Sequence, residues 1–266
     1  MRKPKIGLAL GSGGAVGLSQ IGVIKTLEKH GIYPDYIAGS SMGSFVGAYY
    51  ALNKEINNLE NTMKLMSKKD FFKLMDFISL KKGIIGGKRA MGFLGRVIGD
   101  KDFSQTKIPL KIVATELKTG KEVLFHKGKI NQAVRASTSI PGFLPPAKIK
   151  GKYYVDGGVI NPTPVDVVKK MGADIVIAVD HTLSKDGKSK LTSSTGAIKR
   201  SLDIMRNEIT KNKIGNLDNN VILLNINKKG FFDTYKFYNK NYVNEGTKIA
   251  NKNINKIKKA IKNWRG

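Results

Sequence analysis

The chain of 266 residues contains no cysteine, which excludes disulfide bonds, thiolate metal sites and a cysteine nucleophile. It contains only three histidines, His30, His126 and His181, so a histidine-rich zinc site is nearly excluded. No apolar run approaches the roughly 20 residues of a membrane span, and the apolar run at residues 6–10 is too short for a signal peptide. We therefore expect a soluble, cytoplasmic protein that uses no metal ion or cofactor.

Acidic residues are also scarce, with 20 Asp+Glu against 47 Lys+Arg, so the formal net charge is +27. Such a charge favours an anionic partner, either nucleic acid or an anionic membrane. A bias of the coding sequence towards A and T is the alternative explanation, because 40 of the 47 basic residues are lysines. No recognition motif or aromatic stacking platform accompanies the charge, so we expect no nucleic-acid partner.

The order of apolar runs and glycine-rich turns predicts an α/β fold. Residues 5–10 and 36–38 fit buried strands, and each is followed by a glycine-rich turn and a helical pattern. Strand, turn and helix repeated in this order are typical of a parallel sheet covered by helices. A length of 266 residues and an apolar content of 41% suit a single domain, residues 1–266.

Two segments depart from this alternation. Residues 53–107 are helical in pattern and include an apolar stretch at residues 71–80, which predicts a helical cap inserted into the domain. Residues 242–264 predict an amphipathic helix, with apolar residues at helical spacing among lysines. Both segments could contact an anionic membrane, making the protein peripheral to it. Ordinary packing within the domain is the alternative for each.

The first glycine-rich turn lies at residues 11–17, between a predicted strand and a predicted helix. It departs from the dinucleotide fingerprint because Val16 stands where the third glycine is required, and the second strand lacks the acidic residue. A nucleotide site and a tight packing turn remain as alternatives. The third possibility is an oxyanion hole, in which backbone amides face a developing negative charge. Its residues would be Gly11, Ser12, Gly13 and Gly14.

The second glycine-rich turn fits the pattern G-x-S-x-G, with Ser41 at its centre. In a nucleophile elbow the strand turns sharply into a helix, which holds the serine in a strained conformation and exposes its hydroxyl. The elbow would consist of Gly39, Ser40, Ser41, Met42 and Gly43. A plain turn is the alternative, and Ser40 is the second candidate for the nucleophile.

The group that activates Ser41 is harder to identify from the residues. Among the histidines, only His181 follows a strand in an order compatible with a hydrolase triad; His30 fits a helix cap and His126 an exposed strand end. A carboxylate is the other choice, and Asp156 stands at a predicted strand end before Gly157 and Gly158. From its spacing alone, an ordinary Asp-Gly turn is the better explanation of Asp156.

Taken together, these motifs resemble the patatin-like phospholipases, specifically the compact bacterial members of that family. The resemblance runs from about residue 5 to residue 210. It rests on four blocks in the same order, joined by a typical segment at residues 109–120. The blocks are residues 11–23, 37–43, 136–146 and 155–164.

The resemblance implies a three-layer α/β/α sandwich with a mainly parallel sheet and a Ser–Asp dyad without histidine. Ser41 would be the nucleophile, Asp156 the general base, and the first glycine-rich turn the oxyanion hole of a serine lipid acyl hydrolase. The substrates would be phospholipids, lysophospholipids or related esters. The family usually carries Arg or Lys where this chain has Val16, so a catalytically weak lipid-binding protein is the alternative function.

Overall fold

The computed structural model describes residues 2–65, 88–142, 144–183, 194–215, 220–226 and 241–265. Within these ranges eight strands form one sheet. The strands are β1 (Ile6–Leu10), β2 (Tyr36–Ser40), β3 (Leu110–Glu116), β4 (Glu122–Phe125), β5 (Ala147–Ile149), β6 (Lys152–Asp156), β7 (Ile175–Asp180) and β8 (Val221–Asn225). The helices are α1 (Ser19–Lys29), α2 (Met42–Asn53), α3 (Asn57–Leu65), α4 (Lys88–Val97), α5 (Ile130–Ser137), α6 (Val165–Lys170), α7 (Ser194–Gly215) and α8 (Asn241–Asn263).

The sheet has the strand order β5-β6-β3-β2-β1-β7-β8, and β4 pairs with β3 outside this path. Strands β3, β2, β1, β7 and β8 are parallel to one another, whereas β4, β5 and β6 form antiparallel pairs. Carboxyl ends of parallel strands share one edge, so the turns after β1 and β2 meet there. This edge is where α/β sheets usually bind their ligands.

Helices cover both faces of the sheet because the parallel strands are apolar on both sides. In β1, Leu8 and Leu10 face the larger core cluster, to which α1, α2, α3, α4, α5 and α8 contribute. Ala9, between them, faces the second cluster, which contains the valines of α6. This layering confirms the predicted α/β/α sandwich with a mainly parallel sheet.

The predicted C-terminal amphipathic helix exists as α8, but its apolar face is covered. Gly246 of α8 lies against α1 so closely that a Cβ on it would be 1.8 Å from the carbonyl oxygen of Ser19. Ala250, Ile254 and Ile257 are buried in the core. Of the two alternatives that the sequence left open for this helix, the structure therefore favours packing of the apolar face on its own domain.

The predicted cap falls partly outside the described residues. Its flanking helices α3 and α4 bury Leu59, Met63 and Leu94 in the main core, so these two helices belong to the sandwich itself. Residues 66–87, which include the apolar stretch at 71–80, lie outside the described ranges, and the cap stays a prediction. None of the helices in the described ranges is both long and apolar enough to cross a membrane.

The short strand β5 is missing from the sequence-based prediction. It has three residues, Ala147–Ile149, and pairs with β6 at the edge of the sheet. Prolines precede it in the chain at positions 145 and 146, and three residues are too few to show an alternating pattern. The strands predicted at residues 5–10 and 36–38 are β1 and β2, and the helix predicted at residues 242–264 is α8.

Candidate active site

Ser41 lies at the turn between β2 and α2. Its backbone has φ 54° and ψ −122°, a region that residues with a side chain rarely adopt and that strains the chain. The turn is held from both sides, since Ser41 N donates to Ser137 Oγ at 2.8 Å and Ser44 Oγ donates to the Ser41 carbonyl at 2.6 Å. This is the geometry that a nucleophile elbow requires.

The glycines of the elbow are required by close backbone contacts. A Cβ on Gly39 would lie 2.4 Å from the carbonyl oxygen of Gly43, and one on Gly43 would lie 2.0 Å from the carbonyl oxygen of Leu10. Real Cβ atoms do not approach backbone so closely, so neither position accepts a side chain. The elbow therefore packs directly against the end of β1.

The two serines of the elbow have different partners. Ser41 Oγ donates to Asp156 Oδ2 at 2.7 Å, and both residues are almost fully buried, with 4% and 1% of their surface exposed. Ser40 is buried as well, but its Oγ accepts a hydrogen bond from Ser12 Oγ at 3.1 Å. Only Ser41 is therefore placed against a carboxylate that could take its proton.

The carboxylate of Asp156 is held in place by its own backbone surroundings. Its Oδ1 accepts from Gly158 N at 2.7 Å, and its amide donates to the Ser139 carbonyl at 3.0 Å. A Cβ on Gly157 would lie 2.3 Å from the Val113 carbonyl oxygen, so the chain after Asp156 passes close to β3. The carboxylate consequently points at Ser41 without needing a histidine between them.

The four predicted oxyanion-hole residues divide into two pairs. The amide of Gly11 donates to Val179 O at 2.9 Å and that of Ser12 to Pro162 O at 2.7 Å, so both amides are used by the fold. Gly13 is the N-cap of a 3-10 turn, Gly14–Leu18, and Gly14, the first residue of that turn, has φ 56°. Among the described residues neither of these two amides has an acceptor.

The histidines have other partners than Ser41. His181 is buried, and its Nε2 lies 2.9 Å from Ser19 Oγ at the start of α1. A Cβ on Gly13 would lie 2.9 Å from His181 Nδ1, so this ring packs against the glycine-rich turn. His30 is the C-cap of α1 and His126 is exposed.

Two residues of α5 that support the dyad, Arg135 and Ser137, had no role predicted for them from the sequence. Ser137 Oγ accepts the hydrogen bond from the Ser41 amide that was described above. Arg135 is 5% exposed and donates from Nη1 to Ser139 Oγ at 2.5 Å and from Nη2 to Pro145 O at 3.0 Å; burial lowers the pKa of this guanidinium. It thus fixes the loop whose Ser139 carbonyl binds the Asp156 amide. The sequence feature that could have identified Arg135 is a charged residue among the apolar residues of a short helix.

Val16, where the family usually carries a basic residue, is part of the core. Its side chain is 1% exposed and lies in the main hydrophobic cluster. Over the described ranges, no group of three or more His, Asp or Glu side chains is arranged to hold a metal ion. The groups that the structure places together at this edge are a serine, a carboxylate and backbone amides.

A buried serine–carboxylate pair on a strand–turn–helix elbow, at the carboxyl edge of an α/β/α sandwich, defines a hydrolase-like class of protein. The sequence profile of the Patatin-like phospholipase family matches residues 8–169. The chain belongs to this family, as the motifs predicted.

Several curated proteins are similar to this chain. An uncharacterized NTE family protein of Mycobacterium tuberculosis is 35% identical over 187 residues, which are 70% of this chain and 52% of that protein. The human Patatin-like phospholipase domain-containing protein 6 is 35% identical over 66% of this chain and 13% of its own length. Lysophospholipase NTE1 of Candida albicans is 34% identical, again over 66% of this chain and 13% of its own. The chain thus spans about half the length of the mycobacterial relative.

Among solved structures, VipD from Legionella pneumophila has the same fold, with a TM-score of 0.50 and 13% identity. The match covers 94% of this chain and 67% of that one. At this identity the likeness concerns the fold alone.

Proposed function

We propose that this protein is a serine lipid acyl hydrolase that acts on phospholipids, lysophospholipids or related esters. One observation carries the proposal: the Ser41 hydroxyl, on a strained elbow, donates at 2.7 Å to the buried Asp156 carboxylate. The membership of the Patatin-like phospholipase family and a relative named a lysophospholipase support lipids as the substrate class. The same membership favours a hydrolase over the dinucleotide-binding alternative.

In the proposed reaction Asp156 Oδ2 takes the proton of Ser41 while Ser41 Oγ attacks the carbonyl carbon of the ester. The negative charge on the tetrahedral intermediate falls on the former carbonyl oxygen, which the amides of Gly13 and Gly14 stabilise. Collapse expels the alcohol, which receives the proton from Asp156 and leaves an acyl group on Ser41. Water then attacks the acyl-enzyme with Asp156 again as the base, and collapse of the second intermediate returns the proton to Ser41 Oγ and releases the fatty acid.

A carboxylate is a weak base for a serine hydroxyl, so the proposal depends on its placement. Asp156 is held by the amide of Gly158 and removed from water, and its distance from Ser41 Oγ is already that of a short hydrogen bond. Fixed donors and acceptors of this kind need little rearrangement during the reaction. The dyad therefore requires no third residue.

The test is labelling with a fluorophosphonate probe together with release of fatty acid from a lipid panel. We expect Ser41→Ala to lose both labelling and hydrolysis, and Asp156→Asn to lower turnover by at least a hundredfold. Ser40→Ala is the matched control, since it removes the neighbouring hydroxyl, and His181→Ala should also keep its labelling. All variants are compared after thermal unfolding has shown that they fold.

Two results would contradict the proposal. Labelling that persists in Ser41→Ala would place the nucleophile elsewhere. Vesicle binding by a folded wild type that neither reacts with the probe nor releases fatty acid would favour the catalytically weak lipid-binding protein instead.

A further inference from the structure

Two hairpin tips at the carboxyl edge of the sheet form an exposed basic surface. The tips are residues 117–121, between β3 and β4, and residues 148–153, at the turn between β5 and β6; we call them together the hairpin patch. It carries five exposed lysines and no acidic residue. The lysines are Lys118, Lys121, Lys148, Lys150 and Lys152.

Apolar side chains stand among these lysines. Leu117 lies opposite Tyr153, since the Leu117 amide donates to the Tyr153 carbonyl at 2.8 Å, and Tyr153 in turn pairs with Lys148. Leu117 is 53% exposed and Tyr153 is 39% exposed. The ammonium group of Lys148 lies 5.5 Å from the centre of the Tyr153 ring. A leucine, a tyrosine and a lysine thus form a row across three strands.

The charge of the patch is little compensated by its neighbours. Glu116 binds Lys152 at 3.2 Å, and Glu122, which directly follows the first tip, lies 3.4 Å from Lys213, a lysine outside the patch. In the part of the chain that the structure describes, the other four lysines of the patch form no ion pair with a carboxylate. The surface is therefore strongly positive around a small apolar centre.

The patch also lies near the dyad. Asp156 pairs with Ala114, and Leu117 is three residues further along the chain from Ala114. At a strand rise of about 3.3 Å per residue, Leu117 is roughly 10 Å along the sheet from Ala114, the residue that pairs with Asp156. Strand β6 runs from the patch directly to Asp156.

We propose that the hairpin patch docks the protein on the surface of an anionic lipid bilayer, with Leu117 and Tyr153 entering the interface between the lysines. The proposal rests on the proposed function, because it gives a lipid hydrolase access to its substrate. Lysines attract anionic headgroups, while aliphatic and aromatic side chains prefer the interface. Single-stranded nucleic acid would instead stack on several aromatic rings, and the patch offers one ring, already covered by Lys148.

The test compares two triple variants with the same change in net charge. Lys118→Gln/Lys121→Gln/Lys148→Gln alters the patch, and Lys252→Gln/Lys256→Gln/Lys259→Gln alters the exposed face of α8. Partitioning is measured by sedimentation with vesicles of phosphatidylcholine, with and without phosphatidylglycerol, at low and high salt. One lysine near an anionic surface strengthens binding about fivefold, so the patch variant should bind roughly a hundredfold more weakly. The α8 variant should bind like the wild type.

Hydrolysis of a short-chain, water-soluble ester is measured in parallel. We expect equal rates in the wild type and both triple variants, but slower hydrolysis of vesicle lipids by the patch variant alone. If the wild type hydrolyses no ester, the proposed function fails while the sedimentation still decides whether the patch docks.

Three outcomes would overturn the docking proposal. The first is an equal loss of binding in both triple variants, which would mean that net charge alone acts. The second is wild-type binding that does not respond to phosphatidylglycerol or to salt. The third is a wild type that binds a single-stranded oligonucleotide but no vesicles, when only the patch variant loses the binding of the oligonucleotide.

Discussion

Replacement of Gly246 by alanine tests how α8 is attached to the domain. The added Cβ would lie 1.8 Å from the Ser19 carbonyl oxygen, whereas ordinary contacts are 3.4–4 Å. The atoms it meets belong to the backbone of α1, so no side-chain rotation can relieve the overlap. Helix α8 would have to move away from α1 by about 1.5 Å or more, and the core around Ala250 and Ile254 would open.

The expected loss of stability follows from two opposing effects. Overpacking in a well-packed core costs typically 1–3 kcal/mol, and contact with rigid backbone puts this case at about 3 kcal/mol. Alanine in place of glycine inside a helix returns about 1 kcal/mol. A net loss of about 2 kcal/mol corresponds to a fall in Tm of roughly 5 °C in a domain of this size.

Thermal unfolding followed by circular dichroism measures the effect, with Gly95→Ala as the control. Gly95 lies in α4, is exposed, and has nothing within 4 Å of an added Cβ, so alanine there should raise Tm by about 2 °C. The two substitutions differ only in what surrounds the new methyl group. A Gly246→Ala variant at least as stable as the wild type would refute the packing of α8 on α1 and leave its apolar face free for a membrane.

Two further predictions concern Val16 and Asp174. Val16→Arg should lower stability by several kcal/mol in thermal unfolding, because it places a charge in the main core; an unchanged Tm would show that the side chain can turn into the active site. Arg2 binds Asp174 through two hydrogen bonds, of 2.7 and 2.9 Å, and the bond from Arg2 lowers the pKa of Asp174 below 3.8. A carboxylate with a lowered pKa stabilises the fold above its ordinary pKa and loses this effect as the pH falls. The difference in stability between the wild type and Asp174→Asn should therefore shrink below about pH 4, and a constant difference from pH 7 to pH 3 would contradict it.

Most of the sheet could be predicted because most of its strands are short and largely apolar runs. Strand Ile175–Asp180, buried throughout, illustrates this: five apolar residues in succession precede Asp180, as expected for a strand that is covered on both faces. Strand β5 could not be predicted in this way, since it depends on pairing with β6. The role of α8 could not be predicted either, because an amphipathic lysine-rich helix has the same pattern whether it packs on a domain or on a membrane.

The dyad residues could be proposed from the sequence, but the residues that hold them in place could not. Ser41 has a local motif, whereas Arg135 and Ser137 act through contacts that span many residues, such as the bond from the Ser41 amide across 96 positions. The oxyanion turn shows the same limit. Its four residues look equivalent in the sequence, and only the pairing of Gly11 with Val179 and of Ser12 with Pro162 separates the used amides from the available ones.

The position of Asp156 follows from the elbow itself. Strand β2 pairs with β3 only as far as Ser40 and Val113, because the chain must then turn away to form the elbow. The edge of β3 beyond Val113 is thereby left without a partner, and unpaired strand edges are costly when buried. Strand β6 fills this gap by pairing antiparallel with residues 114–116. Its last residue, Asp156, is consequently the one that arrives beside the turn, so the same interruption of the sheet that exposes the serine also places the base next to it.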